Sequence, residues 1–475
     1  MKTKIVATIG PATSDYNVLK KLIQEGVNVC RLNFSHDTHE YKAKVIENIR
    51  KVNQELGKFT AILADLQGPK IRTGLIKDNL AILEEGKELI FTTEQCEGTA
   101  ERVYISYNRF VQDVNPGENV LLDDGKLQVQ VVKKVNKHDV LVKVIAGGPL
   151  SSRKGVNLPD TKISIPSITE KDKEDAIFAL QQDVNWIALS FVRSAKDIVE
   201  LRNYIKQHAP HHLPGLIAKI EKPEAVDNID EIIDVSDGIM IARGDLGVEI
   251  PQERVPIIQK TIITKCQKKS CPVIVATQLM EGMIDSLRPT RAEVSDVAYS
   301  VMQGADAVMT SGETSTGKHP VETISTMRSI IREVEGYETI YYKHFLPPYD
   351  RKNKRFINDS ILYSACNLAQ HTGAKAILGN THSGYSAFRI SAQRPKACIY
   401  IFSKDLHLAQ MLSLVWGVEP FYIDRFEDTD VMIQKLQDFL KKKGILKHGD
   451  AVVIFGSALP DTVGKTNMLH LSYVS

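Results

Sequence analysis

Lys219 and Glu221 close the apolar run GLIAKIE (215–221) two residues apart, so in a strand an ammonium and a carboxylate share one face. The following strand-like run continues into ARGDLGVE, where Gly244 and Asp245 form a glycine-flanked turn that a ligand could approach closely. If the two strands are neighbours, Glu221 and Asp245 converge. Two carboxylates with room for water and substrate oxygens suit Mg²⁺, which rarely takes an all-protein cage. On spacing alone, a salt bridge from Lys219 to either acid fits as well. Arg31, Asn33 and Ser35 stand at i, i+2 and i+4, presenting one cation and two neutral polar groups on a single face. A buried Arg31 needs an anionic partner. Thr277 ends another apolar run, and Asp65 ends a third, followed by LQGPKIRTG with Lys70 and Arg72 on one side of an extended segment. Several cations, a divalent-metal pair and oxygen ligands are the equipment of phosphoryl transfer, which needs charge neutralisation, in-line positioning and water exclusion.

These residues must be positioned by the elements that carry them. Eight short apolar runs alternate with amphipathic stretches: KIVATI (4–9), VNVCRLNF (27–34), TAILADL (60–66), WIALSF (186–191), GLIAKIE, GIMIAR (238–243), PVIVATQL (272–279) and DAVMTSGE (306–313). This pattern predicts a (β/α)₈ TIM barrel, with chemistry at the C-terminal strand ends. An open doubly wound sheet is the structural alternative. HEYKAKVIENIRKVNQEL and AKDIVELRNYIKQHA read as the clearest helices, and Thr169 to Asp172 as a helix start. Between 67 and 166, turns such as NPGEN and DDGK punctuate alternating segments, which predicts a small all-β lid inserted after the third strand. A Pro- and charge-rich linker at 341–356 precedes a new α/β alternation. The expected division is barrel 1–66 and 167–340, inserted β domain 67–166, and C-terminal α/β domain 341–475.

The chain's 475 residues suggest about three domains. Lys+Arg at 60 against Asp+Glu at 58 leaves a charge of +2, which gives no reason to expect nucleic acid or a membrane surface as partner. Six cysteines without a CxxC pair argue against a disulfide scaffold or structural zinc, and Cys30 beside Arg31 has no base next to it. The start, MKTKIVATIGPAT, does not read as a signal peptide, and a cytoplasmic address is expected. HAPHH (208–212) lacks metal-ligand spacing and reads as a polar loop. GSALPDTVGKT (456–466) ends like a phosphate-binding P-loop, but Leu459 stands where that motif needs Gly.

TKIVATIGPAT, CRLNFSH, ADLQGPKIRTG, KGVNLP, IAKIEKPEAV, DGIMIARGDLGVEI, VIVATQLMEGM, PTRAEVSDVA and DAVMTSGETSTGKHPVE together resemble the pyruvate kinase family over essentially the whole chain. The resemblance implies a barrel, a lid inserted after strand three and a C-terminal regulatory domain, assembled as a homotetramer. It implies transfer of the phosphoryl group of phosphoenolpyruvate to ADP in glycolysis, giving ATP and an enolate protonated to pyruvate, with Mg²⁺ (or Mn²⁺). Carried over position by position, Glu221 and Asp245 match the metal ligands and Lys219 the transition-state stabiliser. Arg31, the backbone around Gly244, Asp245 and Thr277 match phosphoenolpyruvate contacts. Arg72 and Lys154 match nucleotide contacts, with Asn33 beside them. Asn33, Ser35 and Asp65 match three potassium ligands.

Two departures stand out. Lys70 replaces a family Glu and Leu66 a family Thr, so K⁺ is expected to be dispensable, with the Lys70 ammonium in its place. Thr381, His382, Ser383, Gly384, Tyr385 and Ser386 match the loop for an allosteric phosphate, expected to take a phosphorylated sugar or nucleotide monophosphate. Tyr385 stands there where some relatives carry Arg. A barrel lyase acting on pyruvate enolates would share the Lys, Glu and Asp but would need neither KGVNLP nor Arg72. A catalytically silent binding protein would have lost Lys219 or a metal carboxylate, and both are present.

Overall fold

The computed structural model describes residues 1–208, 213–348, 352, 355–424, 429–457 and 466–475. Most of HAPHH, most of GSALPDTVGKT and part of the 341–356 linker lie outside the described residues. Eight parallel strands close into a barrel: β1 (Lys4–Thr8), β2 (Val29–Asn33), β3 (Ala61–Asp65), β4 (Trp186–Leu189), β5 (Gly215–Ile220), β6 (Gly238–Ala242), β7 (Val273–Ala276) and β8 (Ala307–Thr310). Each strand pairs with its sequence neighbours, and β8 pairs with β1. The open doubly wound alternative is thereby excluded.

These strands are apolar along their length because both faces are covered. Val6, Val29, Leu63, Ala188, Ile217, Met240 and Ile274 fill the barrel interior. Ile5, Cys30, Ile62, Ile187, Leu216 and Ile239, one position away, pack in the larger core cluster with helix residues such as Leu19, Ile46, Ile198 and Ile262. By the period of two, the interior face continues into Thr8, Arg31, Asp65, Ser190 and Lys219 at the C-terminal ends. The barrel is therefore apolar below and charged at one mouth. Burial pushes the Cys30 thiol up to about 12, in keeping with an inert, packed cysteine.

The helices begin and end where local chemistry requires. His39–Leu56 is capped by the Thr38 side chain and stopped by Gly57 at φ 59. Glu170–Gln181 opens with a reciprocal Thr169–Asp172 capping box.

The insertion after β3 has its own core, from Ile71 to Leu158, under a six-stranded sheet. The sheet order is Val156–Asn157, Asn119–Leu122, Leu127–Lys134, Asp139–Ala146, Glu88–Thr92, Arg102–Tyr104. C-terminal to the barrel, a five-stranded sheet runs Val418–Tyr422, Cys398–Ser403, Ala376–Asn380, Ala451–Gly456, Met468–Tyr473, with only the last strand antiparallel. The two outer strands escape sequence reading because edge positions relax the apolar pattern: one carries Pro420 and the other reads MLHLSY.

This C-terminal unit seals the lower end of the barrel. Leu414 joins the interior cluster, Trp186 Nε1 donates to the Met411 carbonyl at 3.1 Å, and Arg394 pairs with Asp306 at 3.0 Å. Gly215 is required beneath the Trp186 ring, since a Cβ there would lie 2.3 Å from Cζ3. Among the described residues, no helix is long and apolar enough to cross a membrane.

Candidate active site

The charged mouth is one connected network. Arg31 from β2 donates from Nε to Asp65 Oδ2 of β3 at 2.7 Å and from an Nη group to Thr8 Oγ1 of β1 at 2.9 Å. Lys219 from β5 lies 3.3 Å from Asp65 Oδ1 and 2.9 Å from Glu221 Oε1, and donates to Ser190 Oγ at 2.7 Å. The anionic partner that a buried Arg31 requires is thus Asp65, and Lys219 and Glu221 share a face as their spacing predicts. Burial alone would lower the Lys219 pKa, but Asp65 and Glu221 outweigh it and hold the ammonium above the ordinary lysine range. Asp65 is likewise opposed by burial, yet Lys219 and Arg31 hold its carboxyl below the usual range.

Glu221 behaves differently. Burial pushes its pKa up, Lys219 draws it down, and the Asp245 carboxylate pushes it up again, with a net rise. Its Oε2 accepts the Phe191 backbone N–H at 2.7 Å. Asp245 sits in the first turn of the helix Arg243–Glu249, not in the open turn that its flanking glycines suggested. The helix starts immediately after β6 and aims its N-terminus at the mouth, where an anion is favoured. Buried Glu221 and half-buried Asp245 form a carboxylate pair, and a divalent cation held between them would relieve the repulsion that Asp245 exerts on Glu221. Among the described residues, no cluster of three or more His, Cys, Asp or Glu could hold a metal. A pair completed by water and substrate oxygens is the usual arrangement for Mg²⁺.

Backbone strain collects around this mouth. Phe191, Thr277 and Gln278 all adopt left-handed conformations, at φ 55, 68 and 55. Just beyond β7, Thr277 Oγ1 accepts the Gly244 N–H at 2.7 Å and donates to the Ala276 carbonyl at 2.6 Å. Arg243 braces the same corner through the Thr277 carbonyl and Asp296, each at 2.7 Å. Ser190, Phe191 and Arg243 escape reading by motif. Ser190 could have been found as the polar end of an apolar strand, whereas Phe191 acts through its backbone and leaves no sequence signal.

Over the mouth lies a cleft of ≈ 580 Å³, whose lining includes Lys70, Asp124, Gly244, Asp245, Gln252 and Gln278. Lys70 is half-buried and reaches this cleft from the lid junction. Arg72 bridges backbone to Gly155, and Lys154 pairs with Asp123 at 2.9 Å, so the inserted domain gathers both cations near its KGVNLP turn. Asn33 Oδ1 accepts the Ser35 N–H at 3.0 Å. Leu66 is packed into the core with 1% exposure, and its carbonyl accepts from Ser190 Oγ at 2.7 Å. Leu66 therefore belongs to the packing around the strands, and the charge change at this corner rests on Lys70.

In the C-terminal unit, Thr381–Gly384 links Ala376–Asn380 to the helix Tyr385–Ala392. Thr381 Oγ1 accepts the Gly384 N–H at 2.9 Å, and Gly384 itself sits at φ 80. Ser383 is exposed and Ser386 buried. Tyr385 turns its hydroxyl onto Asp359 Oδ1 at 2.5 Å and lies under the Arg355 guanidinium at 4.2 Å.

A closed barrel with a β domain inserted after its third strand and a buried lysine–carboxylate mouth is the architecture of a (β/α)₈ barrel enzyme. Residues 1–324 match the pyruvate kinase barrel domain and 359–472 the pyruvate kinase alpha/beta domain. The chain is 42% identical over 475 residues to the pyruvate kinase of Staphylococcus haemolyticus, covering 100% of this chain and 80% of that protein. It is 40% identical over 476 residues to that of Geobacillus stearothermophilus, with the same 100% and 80% coverage. A crystal structure of a pyruvate kinase from Cryptosporidium parvum superposes with a TM-score of 0.92 at 34% identity, covering 100% of this chain and 96% of that one. The chain belongs to the pyruvate kinase family and is a phosphotransferase.

Proposed function

We propose that the barrel mouth transfers the phosphoryl group of phosphoenolpyruvate to ADP, with Mg²⁺ or Mn²⁺ held by Glu221 and Asp245 and without K⁺. The observation that carries this reading is the buried Lys219, 2.9 Å from Glu221 and held charged by it and by Asp65. Lys219 and Arg31 would face the phosphoryl oxygens of phosphoenolpyruvate and neutralise charge as the phosphorus–enol oxygen bond breaks. A divalent cation, when bound, supplies further neutralisation on those oxygens. Arg72 and Lys154, brought by the lid, would orient the ADP phosphates so that a terminal oxygen attacks phosphorus in line. Asn33 would stand beside them. Gly244 and Thr277 would hold the carboxylate and enolate end. Thr277 Oγ1 accepts the Gly244 N–H and donates a hydrogen bond to the Ala276 carbonyl, which supports a role in positioning Gly244. The enolate is finally protonated at carbon. Product stoichiometry tests the reading: one ATP should form for each pyruvate in the presence of Mg²⁺.

Regulation is the second half of the proposal. A phosphorylated sugar or nucleotide monophosphate would bind at Thr381–Ser386, where the helix N-terminus and the exposed Ser383 offer donors. Coupling of about 1–3 kcal/mol to the barrel would be ordinary for an allosteric pair. Ser383→Asp should place like charge against the phosphate and remove the effector's lowering of the phosphoenolpyruvate KM, with basal kcat unchanged. A full response in that variant would reduce the loop to a helix cap. We place the enzyme in the cytoplasm as a homotetramer, which sedimentation velocity would measure, with residues 67–166 moving as the lid.

A further inference from the structure

A cluster that none of these roles uses ties the lid to the barrel. Asn157, in the lid strand Val156–Asn157, donates from Nδ2 to Glu249 Oε1 at 2.8 Å. Lys222 Nζ reaches the same oxygen at 2.6 Å. Lys222 and Glu249 are both buried, and Glu249 Oε2 has no hydrogen-bond partner among the described residues. Beside them Arg193, on the barrel, donates to the carbonyls of Ile163 and Ile165, on the segment by which the chain leaves the lid. These groups line a narrow cavity of ≈ 30 Å³ together with Asp245 and Lys70.

Chain position gives the cluster its meaning. Lys222 directly follows Glu221, and Glu249 ends the helix whose first turn holds Asp245. The Lys222–Glu249 pair therefore joins the two backbone segments that present the carboxylate pair, and Asn157 joins both to the lid. Paired charges at this depth stay paired, because separating them would strand a buried ion. The bond from Asn157 to the Glu249 carboxylate is charge-assisted and adds to those from Arg193, and water can replace it when the lid lifts.

We propose that Asn157, Glu249 and Lys222 form a latch that holds the lid over the barrel mouth and fixes the spacing of Glu221 and Asp245, coupling lid closure to divalent-metal binding. The coupling half rests on the metal reading given above. All three are positioning residues, acting through the lid and the two acidic side chains. Linkage makes the effect reciprocal: metal tightens the lid, and lid closure tightens metal.

Hydrogen exchange of the full chain over residues 156–165, Mn²⁺ titration by electron paramagnetic resonance, and steady-state kinetics test it together. Asn157 is half-exposed, so Asn157→Ala should fold. It should speed exchange at 156–165, raise the ADP KM about tenfold with a smaller change in kcat, and weaken Mn²⁺ binding. The paired replacement Lys222→Met with Glu249→Gln leaves no buried charge behind and should weaken Mn²⁺ binding further. Parental exchange and parental Mn²⁺ affinity in Asn157→Ala would overturn the latch. Glu221→Gln separates the two readings: if it binds Mn²⁺ as well as the parent, the metal assignment and the coupling both fall, while exchange in Asn157→Ala still decides whether Asn157 holds the lid.

Discussion

Lys219→Met should lower kcat by about 10²–10³ while phosphoenolpyruvate still binds, because it removes one preorganised charge from the mouth. Arg31 remains to hold the substrate's anionic groups, and Asp65 keeps it in place at 2.7 Å. The substitution also strips Glu221 of its ion-pair partner at 2.9 Å and leaves Asp65 with a single cation. Breaking a buried pair from one side typically costs about 3–5 kcal/mol, so the variant should unfold at lower urea. Kinetics must be taken below that transition. Lys219→Arg separates the two effects, since it keeps the charge for stability but misplaces the donor. Near-parental kcat in a folded Lys219→Met would show that the ammonium does not face the migrating group.

Full activity in tetramethylammonium buffer without K⁺ or Na⁺ is the second large effect expected. Asn33, Ser35 and Asp65 would otherwise argue for a bound monovalent cation. Asn33 Oδ1, however, already accepts the Ser35 N–H, and Asp65 lies between Arg31 and Lys219. Lys70 lines the same cleft as Asp245, so its ammonium is available to supply a positive charge there. Two unit charges at 4 Å repel by about 4 kcal/mol at an effective dielectric of 20, so a cation that came that near the Lys70 ammonium would be held weakly. Lys70→Glu should then create a K⁺ requirement, measured as activation by KCl at constant ionic strength and saturating Mg²⁺. Strong KCl activation of the parental chain would sink the idea and return Lys70 to the role of a solvated lid residue.

The barrel and the charged half of its mouth are legible because strand period and function coincide. GLIAKIE puts Lys219 and Glu221 on one face by counting alone, and Arg31 announces a partner by being charged in an apolar run. His39–Leu56 begins and ends where its amphipathic pattern does. Asp245 misleads because GDLG carries two turn-favouring glycines, yet the residues after β6 fold into Arg243–Glu249. Tertiary packing there overrides local preference. The bond between Asn157 and Glu249 spans 92 residues and joins two domains, so no local window contains it. Phe191 contributes a backbone N–H at φ 55, a role that any residue name conceals.

The most direct measurement of the central claim is pyruvate release from phosphoenolpyruvate with Mg²⁺, followed with and without ADP. The barrel mouth with Lys219, Glu221, Asp245 and the lid cations Arg72 and Lys154 predicts pyruvate and ATP in equal amounts with ADP, and no pyruvate beyond the uncatalysed background without it. Pyruvate formed at a comparable rate in the absence of ADP would contradict the account, because the lid would then serve no acceptor nucleotide.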